Sequence, residues 1–299
     1  MLPYVIPYVS VRKTSVYLPD QLKRGLADCA TRTGRSEAAV VRDAVGTEIA
    51  SGAAPRPALP PTVPGMLVGV GVGPGDPDLL TTRALVALRR ADRVVAPATA
   101  LDAVGRAEAI VRQAAPEIIV ERLAFAMAPD RAARDGAVEA AAERVAGWLD
   151  GGEEVAFITL GDPLVYSTFS SVAGAVRRRR PTTRVDHVPG IMAFQALAAR
   201  TGTTVADEAT RIVVRTALAG EAFDGELGDP SATVIVYKGG RRLPELAEAV
   251  RAAGRQDGAV VGELMGMPGE RVGPLSEAAT RGPASYLATL IVPAVGDAS

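Results

Sequence analysis

Three short stretches of this sequence place glycine, proline or a carboxylate directly after an apolar run: Gly69-Val70-Gly71-Val72-Gly73-Pro74-Gly75-Asp76-Pro77, Thr159-Leu160-Gly161-Asp162-Pro163 and Val188-Pro189-Gly190-Ile191. With no Cβ, glycine lets a main chain close on a ligand or a neighbouring strand. A loop at the carboxyl end of a buried strand is where an open α/β sheet takes small molecules. Any one of these loops also reads as a tight turn, whereas three of related design point to one cleft. The chemistry they offer is enclosure and main-chain hydrogen bonding. The first is not a dinucleotide fingerprint, because Asp76 stands where the third glycine of G-x-G-x-x-G falls. Nor does an acidic residue end the following strand at 94–96 to take a ribose hydroxyl. Asp76 is either a carboxylate that poises a substrate and accepts its proton, or a turn-former ahead of Pro77.

Other chemistries are excluded by residue counts. One cysteine, Cys29, and one histidine, His187, leave no disulfide framework, no cysteine-rich metal site and no histidine cluster; no metal is expected. A Ser-His-Asp arrangement could run only through His187, which lies in the strand pattern VDHVPG and reads as a sheet-face residue. With 33 Lys+Arg against 34 Asp+Glu the net charge is −1, so any charged site must be local. The apolar start MLPYVIPYVSV carries Pro3 and Pro7 and is too short for a secretory or membrane segment. A cytoplasmic protein is expected.

The elements that must hold the loops follow from periodicity. The 299 residues are 48% hydrophobic and 22% charged, which is room for about two domains. Five prolines in SGAAPRPALPPTVPG mark a semi-rigid spacer over 51–65. Ahead of it, in 1–50, the alternation of Thr14, Val16 and Leu18 with Lys13, Ser15 and Tyr17 predicts a short strand. Pro19-Asp20 opens a helix bearing Leu22, Leu26, Cys29 and Ala30 that Gly34 ends, and Ser36 caps a second one. Beyond the spacer, strands over 66–72, 93–96, 154–160 and 184–188 alternate with helices over 77–90, 131–149, 165–179 and 191–201, the order of a parallel sheet. Strands over 210–216, 233–238, 258–264 and 284–292 around one helix over 243–253 predict a separate mixed sheet. The fold class is thus α/β with two lobes, 66–202 and 203–295, preceded by a small module.

Together the three loops resemble those of the tetrapyrrole methylase family, where G-x-G-P-G-D-P-x-L-L-T, G-D-P and V-P-G-I recur in this order. ITLGDPLVYSTF is similar to the branch that methylates precorrin-2, metal-free or with cobalt, at carbon 20 in cobalamin biosynthesis. Supporting segments are VGVGPGDPDLLTTRALVALRRADRVVAP, VPGIMAFQALAARTG, IVYKGGRRLPELAEAVRAAGR and GELMGMPGERVGPL. Departures fall at Met192-Ala193, where small hydroxyl residues are usual, at Ala96 and at 211–217. The resemblance implies S-adenosylmethionine folded between the lobes. Leu160, Gly161 and Asp162 would meet its methionine and ribose part, Val165 and Tyr166 the adjoining wall, Met192 and Ala193 its tail, and Tyr237 with Lys238 the adenine side. Pro74 and Gly75 would face the tetrapyrrole, with Asp76 as the poised carboxylate. Arg83, Arg211, Arg215 and Arg271 are the candidates to bind the substrate's carboxylates. Such a site works by positioning, with a methyl group aimed at a carbon about 3 to 3.5 Å away.

The first 50 residues resemble a ribbon-helix-helix module, in which two chains pair their strands and outward side chains, here Lys13, Ser15 and Tyr17, read base edges. A balance of +2 over 1–52 implies weak DNA binding, and the alternative is a dimerisation handle. A homodimer is expected. Two other functions stay open: a family relative acting on a different substrate, and a transcription regulator using the methylase fold as a ligand sensor.

Overall fold

The computed structural model describes residues 20–50, 65–125, 131–207, 210–218 and 223–295. The chain divides into two units, Met1–Pro60 and Pro61–Ser299. In the first, α1 (Asp20–Thr33) stops at Gly34, whose φ of +63° suits glycine, and α2 (Glu37–Ala50) follows. Ser36 Oγ accepts from the amide of Ala39 at 3.3 Å, the expected cap. The expected ribbon strand, with Lys13, Ser15 and Tyr17, lies outside the described residues, as does the spacer 51–64.

The second unit begins with five parallel strands, β1 (Met66–Gly71), β2 (Arg93–Ala98), β3 (Val120–Ala124), β4 (Glu154–Thr159) and β5 (Arg184–Val188), in the order β3-β2-β4-β1-β5. Helices cover both faces, so the central strands are continuously apolar. Val68, Val70, Ala156 and Ile158 pack under α3 (Thr82–Arg90) and α4 (Arg106–Ala114). Leu67, Val155 and Phe157 pack under α5 (Arg131–Asp150) and α6 (Thr168–Arg179). Gly69 belongs to this second face, where a Cβ would come within 2.5 Å of the Phe169 ring.

α7 (Ala193–Thr201) leads into the other lobe, where β6 (Arg211–Thr216), α8 (Asp224–Leu227), β7 (Ala232–Tyr237), α9 (Leu243–Ala252), β8 (Val260–Glu263), β9 (Arg271–Pro274), α10 (Leu275–Ala279) and β10 (Ala288–Val292) succeed one another. Their sheet runs β6-β7-β10-β8-β9, with β6 and β7 parallel and the other pairs antiparallel. Residues alternate between faces. Val234, Val236, Leu290 and Val261 face a core with α9 and α10, while Ile235 and Ile291 face Leu197 of α7.

Two expectations need correction. The helix expected over 77–90 is a 3-10 turn at Pro77–Leu79 followed by α3, because Leu80 and Thr81 are extended and Thr81 caps α3 by accepting from Ala84 N at 3.1 Å. The lobes also hold α4, β3, α8, β9 and α10, none of which the periodicity had marked. A buried ion pair fixes α4 to β3: Arg122 grips the fully enclosed Glu108 carboxylate at 2.6 and 2.8 Å, and holds it below the usual carboxylate range.

Candidate functional site

The three glycine loops leave three adjacent strands, β4, β1 and β5, and this adjacency brings them into contact. A Cβ on Gly71 would lie 2.4 Å from the carbonyl oxygen of Gly161 and 2.6 Å from the amide nitrogen of Gly190. One on Gly190 would lie 2.0 Å from the same Gly161 oxygen. The loops are tied further by Gly161 N donating to Gly73 O at 2.8 Å. Asp162 accepts from Gly190 N at 3.1 Å and from Leu164 N at 2.8 Å. Gly161 differs from its two neighbours: its φ is +70°, and a Cβ there meets nothing within 4 Å.

Above these loops lies a cleft of about 850 Å³ of atom-free space, its open mouth included. All nine residues expected at the cofactor line it, Leu160, Gly161, Asp162, Val165 and Tyr166 from the β4 loop, Met192 and Ala193 at the start of α7, and Tyr237 and Lys238 at the end of β7. Pro74 is on its wall too. Sequence reasoning missed Thr159, Ser167 and Thr168, and also Met265 and Leu287, Ala288 and Thr289, which form the opposite side. Thr159 and Ser167 lie within ITLGDPLVYSTF and share a hydrogen bond of 2.9 Å. Met265 lies within GELMGMPGERVGPL, to which the sequence attached no role, and the register of the C-lobe sheet sets Thr289 beside Tyr237.

Two residues at the cleft hold left-handed backbone without being glycine, Tyr166 with φ +49° and Lys238 with φ +60°. Such conformations cost energy and persist where the surroundings impose them. Here the surroundings bridge the lobes. Tyr166 donates its hydroxyl to the carbonyl of Val214 on β6 at 2.8 Å, and Lys238 Nζ donates to the carbonyl of Tyr166 at 3.4 Å. The Tyr166 and Tyr237 rings meet edge to face, with centroids 6.4 Å apart. Tyr237 Oη accepts from Phe194 N at 3.3 Å, and burial pushes this phenol up to about 12. Burial lowers the Lys238 ammonium from its ordinary value.

Gly75, with φ +156°, seats against the other lobe, where a Cβ would strike Met265 O at 1.9 Å. Asp76 Oδ1 accepts from Asp78 N at 3.0 Å and its Oδ2 lies 3.9 Å from Arg200, a turn-capping arrangement beside the cleft wall. None of the four arginines singled out in the sequence lines the cleft. Arg83 is exposed on α3. Arg211 and Arg215 share a sheet face with Ala232 and Val236, and Arg271 shares it with Glu263 and Ala288. That is the face packed under α9 and α10, opposite the one that presents Tyr237 and Thr289. Arg211 pairs with Asp229, Arg215 pairs with Glu226 and stacks on Phe223, and Arg271 meets Glu263 at 3.0 Å. His187 packs its ring edge to face on Phe169, 5.6 Å away, as a sheet-face residue.

Leu160, Val165, Met192 and Leu287 give the cleft an apolar wall. A precorrin-2 C(20)-methyltransferase from a Sinorhizobium species is 34% identical over 242 residues, covering 77% of this chain and 95% of its own. A cobalt-precorrin-2 C(20)-methyltransferase from Salmonella typhimurium is 29% identical, over 76% of this chain and 96% of its own. Among solved structures, uroporphyrin-III C-methyl transferase from Thermus thermophilus, complexed with S-adenyl homocysteine, superposes with a TM-score of 0.56 at 20% identity, over 77% of this chain and 98% of its own. The family model of the tetrapyrrole (corrin/porphyrin) methylases matches residues 66–279, and the chain belongs to that family.

Proposed function

We propose that the protein methylates precorrin-2, or its cobalt form, at carbon 20, using S-adenosylmethionine in cobalamin biosynthesis. The observation that carries this is the single cleft in which all nine cofactor-type residues converge, in a chain 34% identical to a relative of that name. When bound, the cofactor supplies an electrophilic methyl group on a sulfonium. Leu160, Gly161, Asp162, Met192 and Ala193 would hold its methionine and ribose part, and Val165, Tyr166, Tyr237 and Lys238 the remainder. The chain's own contribution is positioning: Gly71, Gly161 and Gly190 lock three loops together, Leu160, Met192 and Leu287 exclude water, and Asp162 fixes the floor by taking two amides. Pro74 and Gly75 would face the tetrapyrrole, with Asp76 beside them.

The region 1–50 is read as a ribbon-helix-helix handle that dimerises the chain, joined by the spacer 51–65 to a methylase domain over 66–295. The sequence balance of +2 over 1–52 favours a handle over a DNA reader, and the setting is read as cytoplasmic. Incubation with precorrin-2, its cobalt form and labelled cofactor, followed by mass spectrometry, tests the activity. Transfer to neither substrate would remove this reading and leave the alternatives of another substrate or a sensing role.

A further inference from the structure

Among the described residues two carboxylates are almost wholly enclosed, Glu108 and Glu263, at 0% and 2% exposure. Glu108 joins α4 to β3, whereas Glu263 ends β8 beside the cleft. A carboxylate taken out of water costs free energy unless its oxygens are bonded, and the partners of Glu263 come from two further segments. Its Oε2 accepts from Arg271 on β9 and from the amide of Ser285, both at 3.0 Å, and Arg281 stands 4.0 Å from Oε1. Both flanks of the bond to Ser285 reach the cleft. On one side the chain passes through Leu264, whose φ of +52° is left-handed, into Met265 on the cleft wall. On the other, Ser285 Oγ accepts from Leu287 N at 3.3 Å, and Leu287, Ala288 and Thr289 line the cleft. Ser285 also braces the corner that follows β7. Ala284 N donates to Gly240 O at 2.7 Å, a Cβ on Gly240 would lie 1.8 Å from Ser285 O, and the Tyr286 ring centroid stands 5.9 Å from Lys238 Nζ.

We propose that Glu263 is a positioning residue for the cofactor: by accepting the Ser285 amide it holds the segment 285–289 against Gly240, and so sets the wall of Tyr237 and Lys238 that serves the adenine side. This rests on the cofactor reading above. Glu263 does not itself line the cleft, so it acts through Ser285. Arg271, which shares Oε2 with that amide, lies on the face of the sheet away from Tyr237 and Thr289. The ion pair therefore anchors the carboxylate, while the oxygen offered to Ser285 N shapes the site. Without that oxygen the Ser285 amide loses its partner, and the segment that shifts to find another carries with it Leu287 on the cleft wall and the brace on Gly240. A wall displaced in this way loosens a site that works by alignment.

The test compares Glu263→Gln, which keeps an oxygen for Ser285 N and gives up the charge, with Glu263→Ala, which gives up both. Calorimetry well below each melting temperature should give a Kd for S-adenosylhomocysteine raised at least about tenfold in Glu263→Ala and within about threefold of wild type in Glu263→Gln. 5′-Methylthioadenosine, which lacks the amino-acid end, should lose affinity by the same factor, because the displaced wall serves the adenine side. A role confined to stability would lower both melting temperatures and leave both affinities at wild-type values, and that result overturns the proposal. An equal loss in Glu263→Gln and Glu263→Ala overturns it too, since the charge would then be the cause, as does a loss with S-adenosylhomocysteine that is absent with 5′-methylthioadenosine. If Glu263→Ala fails to fold, Gly240→Ala carries the comparison: it parts Ser285 from the same corner with Glu263 intact and should weaken both ligands alike, and wild-type affinity in it overturns the proposal. Failure of the wild type itself to bind S-adenosylhomocysteine would count against the cofactor reading instead.

Discussion

Replacing Gly190 by alanine adds one methyl group where the structure has no room. The new Cβ would stand 2.0 Å from Gly161 O and 2.8 Å from both the carbonyl carbon and Cα of Gly71. All three neighbours are backbone, so no rotamer relieves the clash. Restoring an ordinary contact of about 3.4 Å requires the β5 loop to part from the β4 loop by roughly 1.4 Å, and overpacking of this kind costs about 1 to 3 kcal/mol. At about 2 to 4 °C per kcal/mol for a unit of this size, the melting temperature should fall by about 2 to 12 °C. Misplacement by about 1 Å at a positioning site weakens function about a hundredfold, and calorimetric affinity for S-adenosylhomocysteine should drop on that order. Gly136→Ala is the control: it lies on α5 with nothing within 4 Å of its added Cβ, and should leave binding unchanged with equal or higher stability. Wild-type melting and wild-type affinity in Gly190→Ala would refute the claim that three touching backbones build the site.

Gly161→Val should fold yet lose S-adenosylhomocysteine binding in calorimetry, since its side chain would project into the open cleft and sit at φ +70°; retained affinity would count against the assignment of that loop. Because Arg122 depresses the Glu108 carboxyl, the stability this pair gives is present above the unfolded carboxylate value, about 4.3, and is lost as pH falls through the lower folded value. Urea melts should therefore show wild type losing more stability than Glu108→Gln on acidification from neutral pH. A chain starting at Met66 should stay dimeric and active in light scattering and turnover assays, and a monomer would leave the first region as the only interface. Fluorescence anisotropy on random duplex should give a Kd no tighter than ~10⁻⁵ M at physiological salt, in the nonspecific range; tight binding lost in Lys13→Ala/Tyr17→Ala would make this a regulator as well.

The loops and the central strands were legible because their signals are local. Buried parallel strands read as apolar runs, and glycine after such a run marks a close approach. β3, at Val120–Ala124, carries Glu121 and Arg122, whose charges pair with Arg93 and Glu108, so an edge strand bound by ion pairs shows no apolar run. β9 holds Arg271, Val272, Gly273 and Pro274 and forms only through its register with β8. The site divided in the same way. Residues of the N-lobe loops could be named from their strings, whereas Met265, Leu287 and Thr289 reach the cleft by the order of strands in the C-lobe sheet. The arginines misled for a matching reason. Arginine suits a carboxylate ligand by type, but a strand alternates faces, and the odd-numbered positions 211 and 215 fall on the side of Ala232 and Val236.

On the proposed function, this cleft delivers a methyl group to one carbon of one macrocycle. Single-turnover incubation with methyl-¹³C-labelled S-adenosylmethionine, followed by mass and carbon NMR spectra of the product, tests it most directly. One added methyl group is expected, with the label at carbon 20 of precorrin-2 or its cobalt form. Label on any other carbon, or a tetrapyrrole recovered unmethylated in the presence of bound cofactor, would contradict it.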